Sequence, residues 1–149
     1  PRFMNRFRVR EVAEIVAAWG IEVRVHEWSV RNLRDVAMAA DLAIVPVELD
    51  DPYTVGKPEN RMRIFWRLGL PVVVSDTPSH RRAMNVAGLS DQALCTTADD
   101  WMEALARYAE DHELRSVDGE MGHVAALGPY GDTALLAGWD GVLSSLGIL

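Results

Sequence analysis

A lysine, an amide and a guanidinium open one helical pattern, as Lys57, Asn60 and Arg61 in the run Lys57-Pro58-Glu59-Asn60-Arg61. An ammonium beside the free N–H groups of a helix start can hold a phosphate as a point charge. A guanidinium grips a diphosphate with paired donors. An amide side chain can hydrogen-bond a sugar or ribose hydroxyl. Of the 15 Lys and Arg residues in the chain, Lys57 is the one lysine. The competing reading of all three is a solvated helix start with ordinary surface charges. Just upstream, Glu48, Asp50 and Asp51 suit ribose hydroxyls, a metal ion or plain solvent. No histidine stands near them in sequence, so a metal is not expected. Asp51 and Glu59, eight residues apart, could face one cavity.

A second polar cluster, Ser75-Asp76-Thr77-Pro78-Ser79-His80, precedes another helical pattern. Ser75, Thr77 and Ser79 offer hydroxyls to a phosphate or a sugar, and N-capping by Thr77 competes with that use. His80 has no serine or cysteine nucleophile partner in a known motif, and His26, His112 and His123 lack metal-ligand spacing. The chain holds no Gly-x-Ser-x-Gly, no phosphate loop ending in Gly-Lys-Ser/Thr and no Gly-x-Gly-x-x-Gly. Hydrolase, P-loop and dehydrogenase chemistry are therefore without support. The single cysteine, Cys95, excludes a disulfide framework and reads as a small core residue.

Both polar clusters follow apolar runs that must position them. Leu42–Val47 and Pro71–Ser75 are short and almost wholly apolar, as central parallel strands are. Between them Pro58 suits the first position of a helix that runs to Leu68 and stops at Gly69. Strand, loop, helix and strand make one right-handed βαβ unit, and such sheets bind ligands beyond the carboxyl ends of their strands. Elsewhere the spacing predicts a helix over Phe7–Trp19 and a strand over Ile21–Trp28 with Glu22, Arg24 and His26 on its polar side. A helix capped by Ser29 follows. Further on come a helix opened by Thr77-Pro78 and ending near Gly88, a strand over Ala93–Thr96, and a helix over Asp99–Ala109 behind a Thr97/Asp100 capping box. Helical pattern continues from His112, breaks near Gly128-Pro129 and resumes over Tyr130–Leu146, with Leu135, Leu136, Trp139 and Leu143 on one side. Phe65 and Trp66 lie on the helix between the two buried strands, and Phe65→Ala is expected to cost about 3–5 kcal/mol if Phe65 is buried.

Four strands alternating with helices imply an α/β fold: one Rossmann-like domain over residues 1–149, its parallel sheet covered by helices on both faces. A complete doubly wound domain usually has more strands. With Pro1 standing in a pattern already under way, the expectation is a fragment of a two-domain protein. The 149 residues carry a formal charge of −7, which argues against general nucleic-acid binding. No apolar run approaches the roughly 18 residues that span a bilayer, so no transmembrane segment is expected. No signal peptide is visible, and a cytoplasmic setting is the default.

The ordered set Ala40-Asp41-Leu42-Ala43-Ile44-Val45-Pro46, Lys57-Pro58-Glu59-Asn60-Arg61 and Gly69-Leu70-Pro71-Val72-Val73-Val74-Ser75 resembles the carboxy-terminal half of GT-B glycosyltransferases, nearest to group 1, or family 4. The likeness continues through Trp101, Leu114-Arg115 and Trp139, covering the chain from about Glu22 on. The resemblance implies a donor-binding domain facing an amino-terminal acceptor domain of the same protein, with a nucleotide-sugar as substrate and no separate cofactor. It implies transfer of a sugar to an acceptor hydroxyl, hexosyltransferase chemistry in polysaccharide biosynthesis, and possible attachment at the inner membrane face through the other domain. Donor contacts pass to Asn60 and Arg61, because Pro58-Glu59-Asn60-Arg61 matches a Pro-x-Asn-Lys/Arg helix start in some relatives. Two glutamates of the family, eight positions apart, fall here on Gly56 and Ile64. That departure leaves a non-catalytic sugar-nucleotide-binding or interaction domain as the alternative, and no catalytic residue is assigned. The fragment alone is expected to be inactive. An unrelated flavodoxin-like regulatory domain, with Asp76 as its phosphoacceptor, lacks the acidic pair and lysine it would need.

Overall fold

The computed structural model describes Glu22, Arg24, His26 and residues 29–148. The predicted helix Phe7–Trp19 and most of the predicted strand Ile21–Trp28 lie outside these residues. The chain divides into two compact units, Pro1–Val36 and Ala37–Leu149. In the first, Arg24 pairs with Glu22 at 2.8 Å. Ser29 caps helix α1 (Val30–Met38): its Oγ accepts from the Asn32 N–H at 3.0 Å.

The second unit is built on three parallel strands, β1 (Ala43–Val45), β2 (Val72–Ser75) and β3 (Leu94–Cys95), in the order β1-β2-β3. Its helices are α2 (Pro52–Val55), α3 (Asn60–Arg67), α4 (Pro78–Ala87), α5 (Ala98–Glu110), α6 (His112–Leu127) and α7 (Asp132–Ser145). This is the expected α/β, Rossmann-like arrangement. Three strands stand among the described residues, since the first of the four expected lies mostly outside them. β2 is buried at every position, so both of its faces are covered. On β1 the cover is one-sided: Ile44 is 51% exposed, although its register partner Val73 is wholly buried.

The ladder between β1 and β2 ends at Val45. A side chain takes over. Ser75 Oγ accepts from the Val47 N–H at 2.7 Å and donates to the Val47 carbonyl at 3.0 Å. Both backbone groups of Val47 are thereby satisfied without a strand partner.

α3 departs from the expected start. Pro58 stands outside the helix, and Glu59 is its N-cap residue. In this connection the proline at a first helical position is Pro52, in the short turn α2, which Asp51 caps by accepting from the Tyr53 N–H at 3.0 Å. The helix is also turned from the sense that would bury Phe65: Met62 and Trp66 are wholly buried, and Phe65 packs only partly against the core. Residues four apart share a face, and the face toward the sheet is the one holding Met62 and Trp66. α3 and α4 stop where expected. Gly69 and Gly88 take φ of 75° and 72°, a left-handed conformation that a side chain disfavours. The Leu70 and Leu89 N–H groups then reach back to the Phe65 and Met84 carbonyls at 3.1 and 3.0 Å.

α6 lies against α3 and α4, and two glycines let it come close. A Cβ at Gly122 would stand 2.5 Å from Trp66 Cδ1, and one at Gly119 would stand 2.5 Å from the Gly69 carbonyl oxygen. Nearby, the buried Tyr108 hydroxyl of α5 donates to the Asp118 carboxylate of α6. The expected capping box of α5 is present: Thr97 Oγ1 accepts from the Asp100 N–H at 3.2 Å, and the Asp100 carboxylate accepts from the Thr97 N–H at 2.8 Å. Cys95 is buried, and burial pushes its thiol up to about 11. No helix among the described residues is long and apolar enough to cross a membrane.

Candidate functional site

The connections after β1 and β2 meet around one small pocket. Its walls are Val45 at the end of β1, Val47 just past it, Thr54 of α2, Lys57 and Pro58 of the following loop, Arg61 in the first turn of α3, and Thr77 and His80 at the start of α4. All follow the carboxyl ends of two parallel strands, where such sheets place their ligands. The pocket volume is about 20 Å³, room for a single water-sized group. A larger ligand would lie across the mouth and insert one small group.

Local bonds fix each wall. Lys57 is drawn toward α2, its ammonium 4.7 Å from the Tyr53 ring centroid. Its carbonyl accepts from Ser79 Oγ at 2.8 Å, which ties the loop to the start of α4. Thr77 caps α4 by accepting from the His80 N–H at 3.2 Å. His80 is buried, and its Nδ1 lies 2.8 Å from the Ser75 carbonyl. A carbonyl only accepts, so Nδ1 carries the proton and Nε2 is left as an acceptor. Burial lowers the His80 pKa; the Ser75 carbonyl, Glu59 and Asp76 oppose that and Arg61 adds to it. The neutral ring is the form that this pocket favours.

No protein-family model, curated protein or solved structure matches this chain.

Of the eight residues singled out in sequence, the structure brings Lys57, Arg61 and Thr77 to the pocket. Asn60 opens α3 on its exposed side and does not line it. Asp51 caps α2 and accepts from the Thr54 hydroxyl. Glu59 is buried and faces Arg82 at 3.5 Å. Asp51 and Glu59 share no wall of the pocket. Ser75 and Ser79 spend their hydroxyls on the backbone of Val47 and Lys57, which makes them positioning residues for the loop.

Two polar members stand outside those eight: Thr54, and His80, which was set aside in sequence for want of a nucleophile partner. His80 carried a usable signal: it stands three residues after the capping Thr77, in the first turn of a helix that leaves a buried strand. Asp76, weighed above as a phosphoacceptor, is held by Arg81, whose Nε donates to it at 3.0 Å while Nη1 bonds Asp91 at 2.8 Å. Among the described residues no group of three or more His, Cys, Asp or Glu side chains is placed to hold a metal.

Proposed function

We propose that this chain is the nucleotide-sugar donor-binding domain of a GT-B-type glycosyltransferase, working with an acceptor-binding domain of the same protein. The observation that carries the reading is the convergence of Lys57 and Arg61 on one pocket past the carboxyl ends of β1 and β2. Two cations with donor groups, at the edge where parallel sheets take nucleotides, suit a diphosphate. The ordered motifs from Ala40 to Ser75 support the same reading.

A second reading, a domain that binds sugar nucleotides without turning them over, is favoured by one feature. The two positions where the family carries glutamates are Gly56, which has no side chain, and Ile64, which is 43% exposed on α3. Neither can orient a sugar by hydrogen bonds.

The test is calorimetric titration with UDP, GDP and ADP. At least one should bind, and Lys57→Ala with Arg61→Ala should weaken it about tenfold or more while melting as the parent does. Unchanged affinity in that double variant would remove the site. Sugar transfer by the full-length protein separates the two readings, since the binding-only domain supports none.

A further inference from the structure

We propose that His80 is a ligand-binding residue of this pocket, accepting through Nε2 a hydrogen bond from a ribose hydroxyl whose diphosphate lies on Lys57 and Arg61. The inference rests on the nucleotide reading above and deepens it. His80 is 4% exposed, yet among the described residues its Nε2 has no hydrogen-bond partner. Nε2 is also not one of the fully enclosed unpaired atoms, which are Arg63 Nε and Trp66 Nε1. His80 is one of the residues that line the pocket, and we infer that Nε2 opens to it.

The Ser75 carbonyl dictates what Nε2 can do. It holds the proton on Nδ1, so Nε2 presents a lone pair to anything that enters. An ionised phosphate oxygen is acceptor-only and is repelled by that lone pair. A hydroxyl donates to it. The pocket admits one water-sized group, which is the size of a hydroxyl and too small for a phosphate or a sugar ring. The cations Lys57 and Arg61 in the same walls attract the anionic part of the same molecule. Together these features select an anion that carries a hydroxyl close by, and in a nucleoside diphosphate that hydroxyl belongs to the ribose.

The variant His80→Asn separates the two ends of the ring. Its amide can still donate to the Ser75 carbonyl, as Nδ1 does, and it lacks the acceptor at the Nε2 position. Calorimetric titration of the whole chain with UDP, GDP, ADP and inorganic pyrophosphate, in the parent and in His80→Asn, reads the outcome. The best-bound nucleotide should lose about 3- to 10-fold in affinity in the variant, the worth of one neutral hydrogen bond, with pyrophosphate binding unchanged. Thermal unfolding of the variant should stay within a few degrees of the parent. If His80→Asn unfolds, His80→Gln, which places an amide oxygen near the Nε2 position, should bind the nucleotide with less than about a 3-fold loss, and a loss of about 10-fold or more in a folded His80→Gln would overturn the role of His80. Equal nucleotide affinity in parent and His80→Asn would overturn the role of His80 and leave the nucleotide site standing. Equal loss of nucleotide and pyrophosphate would also overturn it, since His80 would then serve the phosphates. Absence of binding to all three nucleotides would overturn the nucleotide reading and this inference with it.

Discussion

Trp66 and Trp139 both sit on helices and have opposite fates. Trp66 on α3 is wholly buried, while Trp139 on α7 is 59% exposed. α3 is held between two strands of its own βαβ unit and is closed over by α6, which approaches through Gly122. α7 has no buried residue, and Leu135, Leu136 and Val142 stand exposed beside Trp139. α3 is strongly two-faced, whereas α7 is apolar over most of its surface and still buries nothing. A face becomes core only where another element is brought against it, and that depends on chain topology.

The sharpest way to break the comparison is to truncate both tryptophans. Trp66→Ala should cost about 3–5 kcal/mol in chemical denaturation, through lost burial and the cavity left behind. Trp139→Ala should cost less than about 1 kcal/mol. Similar losses at the two sites would mean that α7 is covered in solution. Phe65→Ala, on the partly buried side of α3, should fall between them.

Gly122→Ala should come next in size. Its added methyl meets the Trp66 ring at 2.5 Å, so α3 and α6 must separate, at about 1–3 kcal/mol. A neutral effect would show that the Trp66 ring can move aside. Ser75→Ala strands the Val47 backbone groups and should cost about 1–3 kcal/mol. It should also weaken nucleotide binding, because Val47 leads into the loop that carries Lys57. Loss of stability with full affinity would separate the strand tie from the site.

Two buried groups should tilt the pH profile in opposite senses. Burial lowers the His80 pKa, so the unfolded chain binds that proton more tightly, and stability should fall as pH drops below about 6.5 toward the folded value. Glu59, Lys57, Arg61 and Asp76 are the charged groups around it. Burial raises the Asp118 pKa against the opposing Tyr108 hydrogen bond, so the folded chain binds that proton more tightly. Its contribution is therefore present at low pH and is lost as pH rises from about 3.8 through the folded value. The stability of Asp118→Asn relative to the parent should grow over that rise, and that of His80→Asn should grow as pH falls below about 6.5. Parallel curves for parent and variant would rule out that group as the source. These are the smallest effects expected.

Much of the scaffold was legible because its causes are local. The apolar runs of β1 and β2, the stops at Gly69 and Gly88, and the Thr97/Asp100 capping box each need only a few neighbouring residues. In the site, Lys57 and Arg61 were legible as anion chemistry at a strand end. The uses of Ser75 and Ser79 were not, because their partners lie 28 and 22 residues away in the chain. Asp51 was read as a ligand contact, although a proline one residue later already marked it as a cap. Glu59 was hidden for a related reason: only the packed structure buries it opposite Arg82.

By itself the sequence determined the alternation of strand and helix, the parallel character of the sheet and the presence of cations beyond its carboxyl edge. These follow from side-chain period, backbone allowances and the short reach of one βαβ unit. The tertiary structure alone decided which side of α3 is core, that α7 stays open, and that His80 rather than Asn60 joins Lys57 and Arg61 at the pocket. Those outcomes depend on which distant backbone carbonyl or side chain arrives within hydrogen-bond or van der Waals range, and no local pattern encodes that distance.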